Sequence, residues 1–144
     1  MRAFRFRDTW EVGAPPDAVR DVLVDLERYP VWWPQVRAVA SLGPDDAWVV
    51  CRSTLPYDLD LGLHSVSRDA PVLEVAITGD LEGAARWHLT PVGSGTRLDF
   101  LQEAAVRGRL LGLASYVARP ALAWNHARMM AGCLAGLREQ LALG

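Results

Sequence analysis

The chain has 144 residues, 51% of them hydrophobic, and a formal net charge of −2 at pH 7, enough for one domain (1–144) that buries a sizeable core. All fifteen cationic side chains are arginine, scattered along the chain rather than clustered, which argues against a nucleic-acid surface. No apolar run reaches the length of a membrane span and no signal-peptide core follows Met1, so the expectation is a cytoplasmic protein.

Residues 3–12 alternate, with Phe4, Phe6, Asp8, Trp10 and Val12 against Arg5, Arg7, Thr9 and Glu11, the period of a half-buried strand. This puts Asp8 on the inward face among three aromatic rings, a costly place for a lone carboxylate. Either an arginine pairs with it or the strand bulges there.

Gly13-Ala14-Pro15-Pro16-Asp17 ends the strand and opens a helix, with proline at its first positions and Asp17 near the positive end of its dipole. Val19, Val22, Leu23 and Leu26 form its buried stripe, and it stops before Tyr29-Pro30. The following YPVWWPQV suits a short rigid helical turn. Trp32 and Trp33 are adjacent and cannot point the same way, so one enters the core and the other lies at a rim.

From Val36 onward short β-like runs alternate with turn signals. Strands are expected at 37–42, 47–55, 58–67, 72–79, 82–91 and 96–106, joined tightly enough to form an antiparallel meander. Leu59, Leu61 and Leu63 alternate with Asp58, Asp60 and Gly62; Trp87 and Leu89 alternate with Arg86 and His88; Leu98 and Phe100 alternate with Arg97 and Asp99. His64 and His88 fall on the solvent side.

One helix spanning 109–141 would be about 50 Å long, beyond the roughly 40 Å expected across a chain of this size. Pro120 therefore opens the main helix, to about Leu141, after a shorter one. Its polar face carries Arg128, Ala135, Arg138 and Glu139; the opposite face carries His126, Met129, Met130, Cys133, Leu134, Leu137 and Leu141. Gly132 and Gly136, one turn apart, admit a neighbouring backbone.

This order predicts an α+β fold: a curved seven-stranded antiparallel sheet, two short N-terminal helices, and the long C-terminal helix across the concave face. A bent sheet and a straight helix leave a pocket between them. The order, together with APPDAVRDVLVDLERYPVWWPQV, TGDLEG, LTPVGSGTRLDF and PALAWNHARMMAGCLAGL, resembles the START/SRPBCC superfamily with its helix-grip fold, and within it the bacterial polyketide cyclase/dehydrase-like branch. The resemblance implies a cavity that binds a hydrophobic or polyketide-like small molecule. It does not choose between a carrier and an enzyme.

His126 is the sharpest chemical candidate: a proton donor or acceptor to a bound ligand, or a buried neutral ring bonded to a strand carbonyl or neighbouring polar group. Asp8 and Tyr57 are its candidate catalytic partners. Asp8 is alternatively half of a structural ion pair with an arginine, and Tyr57 alternatively closes a hairpin. Candidate ligand contacts are Trp10, Trp33, Arg52, Leu61, Leu63, Trp87, Phe100, His126, Met129, Met130 and Cys133, with plain core as the competing reading for the aromatics and methionines. Arg52 faces inward only if Trp48 and Val50 do. Asn125 points elsewhere on the helix. Cys51 and Cys133, without metal-type spacing, are expected to be free buried thiols.

No metal site and no cofactor are expected, because the three histidines sit on separate elements and no phosphate loop joins a strand to a helix. The expected partner is a hydrophobic small molecule, with the chain a monomer or homodimer. The rivals are a cyclase or dehydratase using His126, and a ligand-free interaction module using Trp33 or Trp124.

Overall fold

Alternation decides the first element. In the computed structural model, which describes residues 4–52, 58–69, 71–106 and 119–143, β1 (Phe4–Val12) turns its odd-numbered residues to solvent and the Phe4 to Val12 series inward. Proline then starts α1 (Pro16–Val24), where Val19 and Leu23 are buried. A single 3₁₀ turn, Leu26–Arg28, leads into the one-turn α2 (Tyr29–Trp32).

Six strands follow: β2 (Val36–Ser41), β3 (Asp46–Arg52), β4 (Asp58–Ser67), β5 (Val72–Gly79), β6 (Leu81–Val92) and β7 (Gly95–Val106). They pair antiparallel in the order β1-β7-β6-β5-β4-β3-β2, so sequence neighbours are sheet neighbours except where β1 closes onto β7. Gly79 makes the β5–β6 connection at φ +95°, a conformation that disfavours a side chain. Asp80 beside it is buried, and its Oδ2 accepts the Asp60 N–H at 2.8 Å, tying that turn to β4.

The final helix, α3 (Arg119–Leu143), starts one residue before Pro120 and lies across the inner face. Arg128, Ala135, Arg138 and Glu139 are exposed, whereas Met130, Cys133 and Leu137 are buried. Its contact with α2 depends on glycine: a Cβ at Gly136 would land on the Trp32 carbonyl oxygen, and one at Gly132 on the Gln35 side chain. Trp33 Nε1 also donates to the Met129 carbonyl at 3.0 Å, and Arg138 donates to the Glu11 carbonyl at 2.9 Å.

The sheet register corrects two expectations. Ala47, Val49 and Cys51 face the core, so Trp48 and Arg52 point to the outer face, where both are exposed; Arg52 is not an inward residue. β1 pairs with β7 in unbroken register from Phe4 to Val12, and among the described residues no arginine pairs with Asp8. Asp8 is inward without a bulge, and no arginine among the described residues forms an ion pair with it. The Pro56-Tyr57 turn and the shorter helix before Pro120 lie outside the described residues.

Candidate functional site

A straight helix over a bent sheet leaves a gap that is filled at one end only. Around Cys133 and Leu137, α1 fills the gap, and Val19, Leu98, Cys133 and Leu137 are wholly buried. Toward the N-terminal half of α3 the gap stays empty, as a cavity of about 340 Å³. Phe4, Phe6, Trp87 and Phe100 wall one side, Leu61, Leu63 and Ile77 the floor, and Trp33, Met129 and Met130 the helical side.

The polar groups inside are few: Gln102, Asn125 and His126, with the Tyr29 hydroxyl already donated to the Leu23 carbonyl. Acidic side chains border the cavity, namely Asp25, Glu27, Asp45, Asp46 and Glu74. Arg68 borders it too and pairs with Asp45 at 3.1 Å. Such a site takes an apolar body and orients it with a handful of hydrogen bonds.

His126 lies almost flat on Phe6, with ring centroids 3.8 Å apart and planes 22° apart, and Phe100 follows at 6.2 Å. Its Nε2 is buried without a hydrogen-bond partner; the nearest carboxylate oxygen, Asp8 Oδ2, is 3.9 Å away, too far for a hydrogen bond. Burial lowers its pKa to about 4, so the ring is neutral at pH 7. Burial also raises the Asp8 carboxyl above the usual aspartate value. An orphan nitrogen in a dry wall is a group with unused hydrogen-bonding capacity.

The two thiols are inert by the same physics. Burial, with the nearby Asp60 carboxylate adding to it, pushes Cys51 up to about 12, and burial followed by Asp8 pushes Cys133 up as well. Both are free cysteines. Among the described residues no group of three or more His, Cys, Asp or Glu is placed to hold a metal ion, and no helix is long and apolar enough to cross a membrane.

The structure thus brings Trp33, Leu61, Leu63, Trp87, Phe100, His126, Met129 and Met130 to one cavity. Trp10 and Cys133 share the inward faces but do not line it: Trp10 packs on Trp87 at 5.4 Å, and Cys133 sits in the filled end. Arg52 is on the far side of the sheet, and Tyr57 lies outside the described residues. Asp8 stands behind His126, not in the cavity.

Phe4, Phe6, Gln102 and Asn125 line the cavity without having been singled out. Gln102 was within reach, since the alternation that sends Leu98 and Phe100 inward continues to it. Asn125, expected elsewhere on the helix, is buried and lines the cavity because the inner face is broad enough to include it. His64 and His88 are exposed, as the alternation requires. Trp124 is 51% exposed on α3.

The sequence profile of the family described as polyketide cyclase/dehydrase and lipid transport matches residues 3–142. No curated protein matches the chain in sequence at a significant level. Solved structures match throughout. A START superfamily protein from Mycobacterium smegmatis superposes with TM-score 0.79 at 15% identity, covering 96% of this chain and 97% of its own. A protein from Thermus thermophilus gives 0.81 at 16% identity, covering 97% and 98%. The Zhui aromatase/cyclase from a Streptomyces species gives 0.79 at 15% identity, covering 98% and 94%. At these identities the likeness is one of fold.

Proposed function

This chain belongs to the polyketide cyclase/dehydrase and lipid transport family, and we propose that it binds an apolar small molecule, aromatic or polyketide-like, between the sheet and α3. The observation that carries this reading is the cavity of about 340 Å³, walled by apolar and aromatic side chains with a few inward polar groups. A sheet and helix needed only for stability would close on each other, because unfilled apolar space forfeits packing energy. Native mass spectrometry of protein purified from its own host, with extraction and identification of any adduct, tests it. A co-purifying apolar compound of fixed mass is expected; repeated clean preparations that also fail to bind neutral aromatic probes overturn it.

A second reading is a cyclase or dehydratase in which His126 is the acid/base group. It is favoured by the His126 ring, which lines the cavity and is neutral at pH 7, so that it is able to take up a proton. A cavity that folds a flexible chain into one conformation supplies proximity, and His126 moves the proton. Conversion of the recovered compound by the wild-type protein, and its loss in His126→Gln, is the expected result under this reading.

A further inference from the structure

His126 stands between two compartments. One face of its environment is the cavity it lines; behind it, Asp8 belongs to β1, an edge strand of the sheet, and its side chain is 34% exposed without bordering the cavity. Asp8 is therefore open to water outside the cavity, while a ligand would reach His126 from inside. The phenyl rings of Phe6 and Phe100 hold the imidazole plane, and Nε2 faces the carboxylate across 3.9 Å with no other partner.

We propose that His126 and Asp8 form a proton outlet through the cavity wall, connecting a hydroxyl-bearing ligand, phenolic or enolic, to solvent. This rests on the cavity being a ligand site. The ligand O–H gives its proton to Nδ1 of the neutral ring, and the oxygen keeps the bonding pair. The imidazolium then passes its Nε2 proton to an Asp8 oxygen as the gap shortens by about 1 Å to a charge-assisted contact. Asp8 releases the proton to water, and the ring is left as the other neutral tautomer. Running the route backwards restores the first tautomer and reprotonates the ligand. Burial lowers the proton affinity of His126 and raises that of Asp8, bringing the two together, so neither traps the proton.

The probe is 2-naphthol, an apolar aromatic whose hydroxyl becomes strongly acidic on excitation and whose neutral and ionised forms emit at different wavelengths. At saturating probe the wild-type protein is expected to show emission from the ionised form. The ionised-to-neutral ratio should fall about tenfold or more in His126→Gln, and by a smaller multiple in Asp8→Asn, which keeps the shape but takes no proton. Equal ratios in all three proteins overturn the outlet and leave the cavity reading standing. Failure of 2-naphthol and other neutral aromatics to bind the wild type overturns both. Long-range ¹H–¹⁵N spectra of the unmutated protein give a second readout that needs no variant: the outlet requires the resting ring to carry its proton on Nε2, and a ring protonated on Nδ1 alone overturns it.

Discussion

The two ends of α3 present the same kind of face to the same sheet, yet one is packed solid and the other borders a void. At Cys133, Gly136 and Leu137 nothing separates helix from α1 and α2; at Asn125, His126 and Met129, two turns earlier, the side chains line the cavity. Division of labour follows. The filled end holds the helix down, so the other end is free to keep a cavity open. Substitutions at the filled end should therefore cost stability, and substitutions at the cavity end should change binding or titration.

The largest effect is expected at the filled end. Leu137→Ala removes a wholly buried side chain and should cost about 2–5 kcal/mol in urea unfolding. Gly136→Val should cost at least as much, because its first added carbon already collides with the Trp32 carbonyl. Should either be tolerated with little loss, the filled end is not what holds the helix, and the contrast between the two ends collapses.

Next is the titration of His126. Its folded pKa of about 4 lies below the unfolded 6.5, so the unfolded chain binds the proton first. Its contribution is fully present above pH 6.5 and is lost as pH falls from 6.5 toward 4, by on the order of 3 kcal/mol. Asp8 acts in the opposite sense: its raised pKa lets the fold gain stability as pH falls through that value. Comparing wild type with His126→Gln across this range isolates the histidine. The variant should lose the slope, and parallel profiles would place His126 in a wetter setting than its buried Nε2 indicates.

Much of this contrast was legible in the sequence, and the illegible part has a common cause. Periodicity assigns a residue to a face: it turned Phe4, Phe6 and Asp8 inward, put Met130, Cys133 and Leu137 under the helix, and sent His64 and His88 out. It does not say how far apart two faces stand. Trp10 and Cys133 belong to the inward sets as surely as Phe100 and Met130 do, and only the closing of the gap by α1 separates core from cavity wall. Arg52 was undecided for another reason. Trp48, Val50 and Arg52 make as good an apolar-to-polar series as Ala47, Val49 and Cys51, and only pairing with β2 and β4 selects the second. The acidic border comes from connections and strand ends of four separate elements, which no local pattern joins.

A smaller effect is expected at Met129, which is half-buried and faces the cavity. Truncation there enlarges a space already open instead of creating a sealed one, so Met129→Ala should cost less than the roughly 2 kcal/mol at which buried methionine truncations begin. Affinity for an apolar probe should fall more than stability does. A cost as large as that of Leu137→Ala would show that the void is not maintained in solution.

Smallest is the bond that marks the boundary between the two ends. Trp33 Nε1 donates to the Met129 carbonyl at 3.0 Å while its ring lines the cavity, so one side chain serves both the anchor and the wall. Trp33→Phe keeps an aromatic ring in the wall and removes the donor. The helix interior already engages that carbonyl, so its loss should cost about 1 kcal/mol, the net worth of one neutral hydrogen bond. Because the ring that remains is smaller, probe affinity should weaken as well, with both changes modest and neither abolishing folding. If stability were unchanged and affinity alone fell, Trp33 would belong wholly to the cavity, and the boundary would move one residue toward Trp32, whose ring is buried and whose carbonyl meets Gly136.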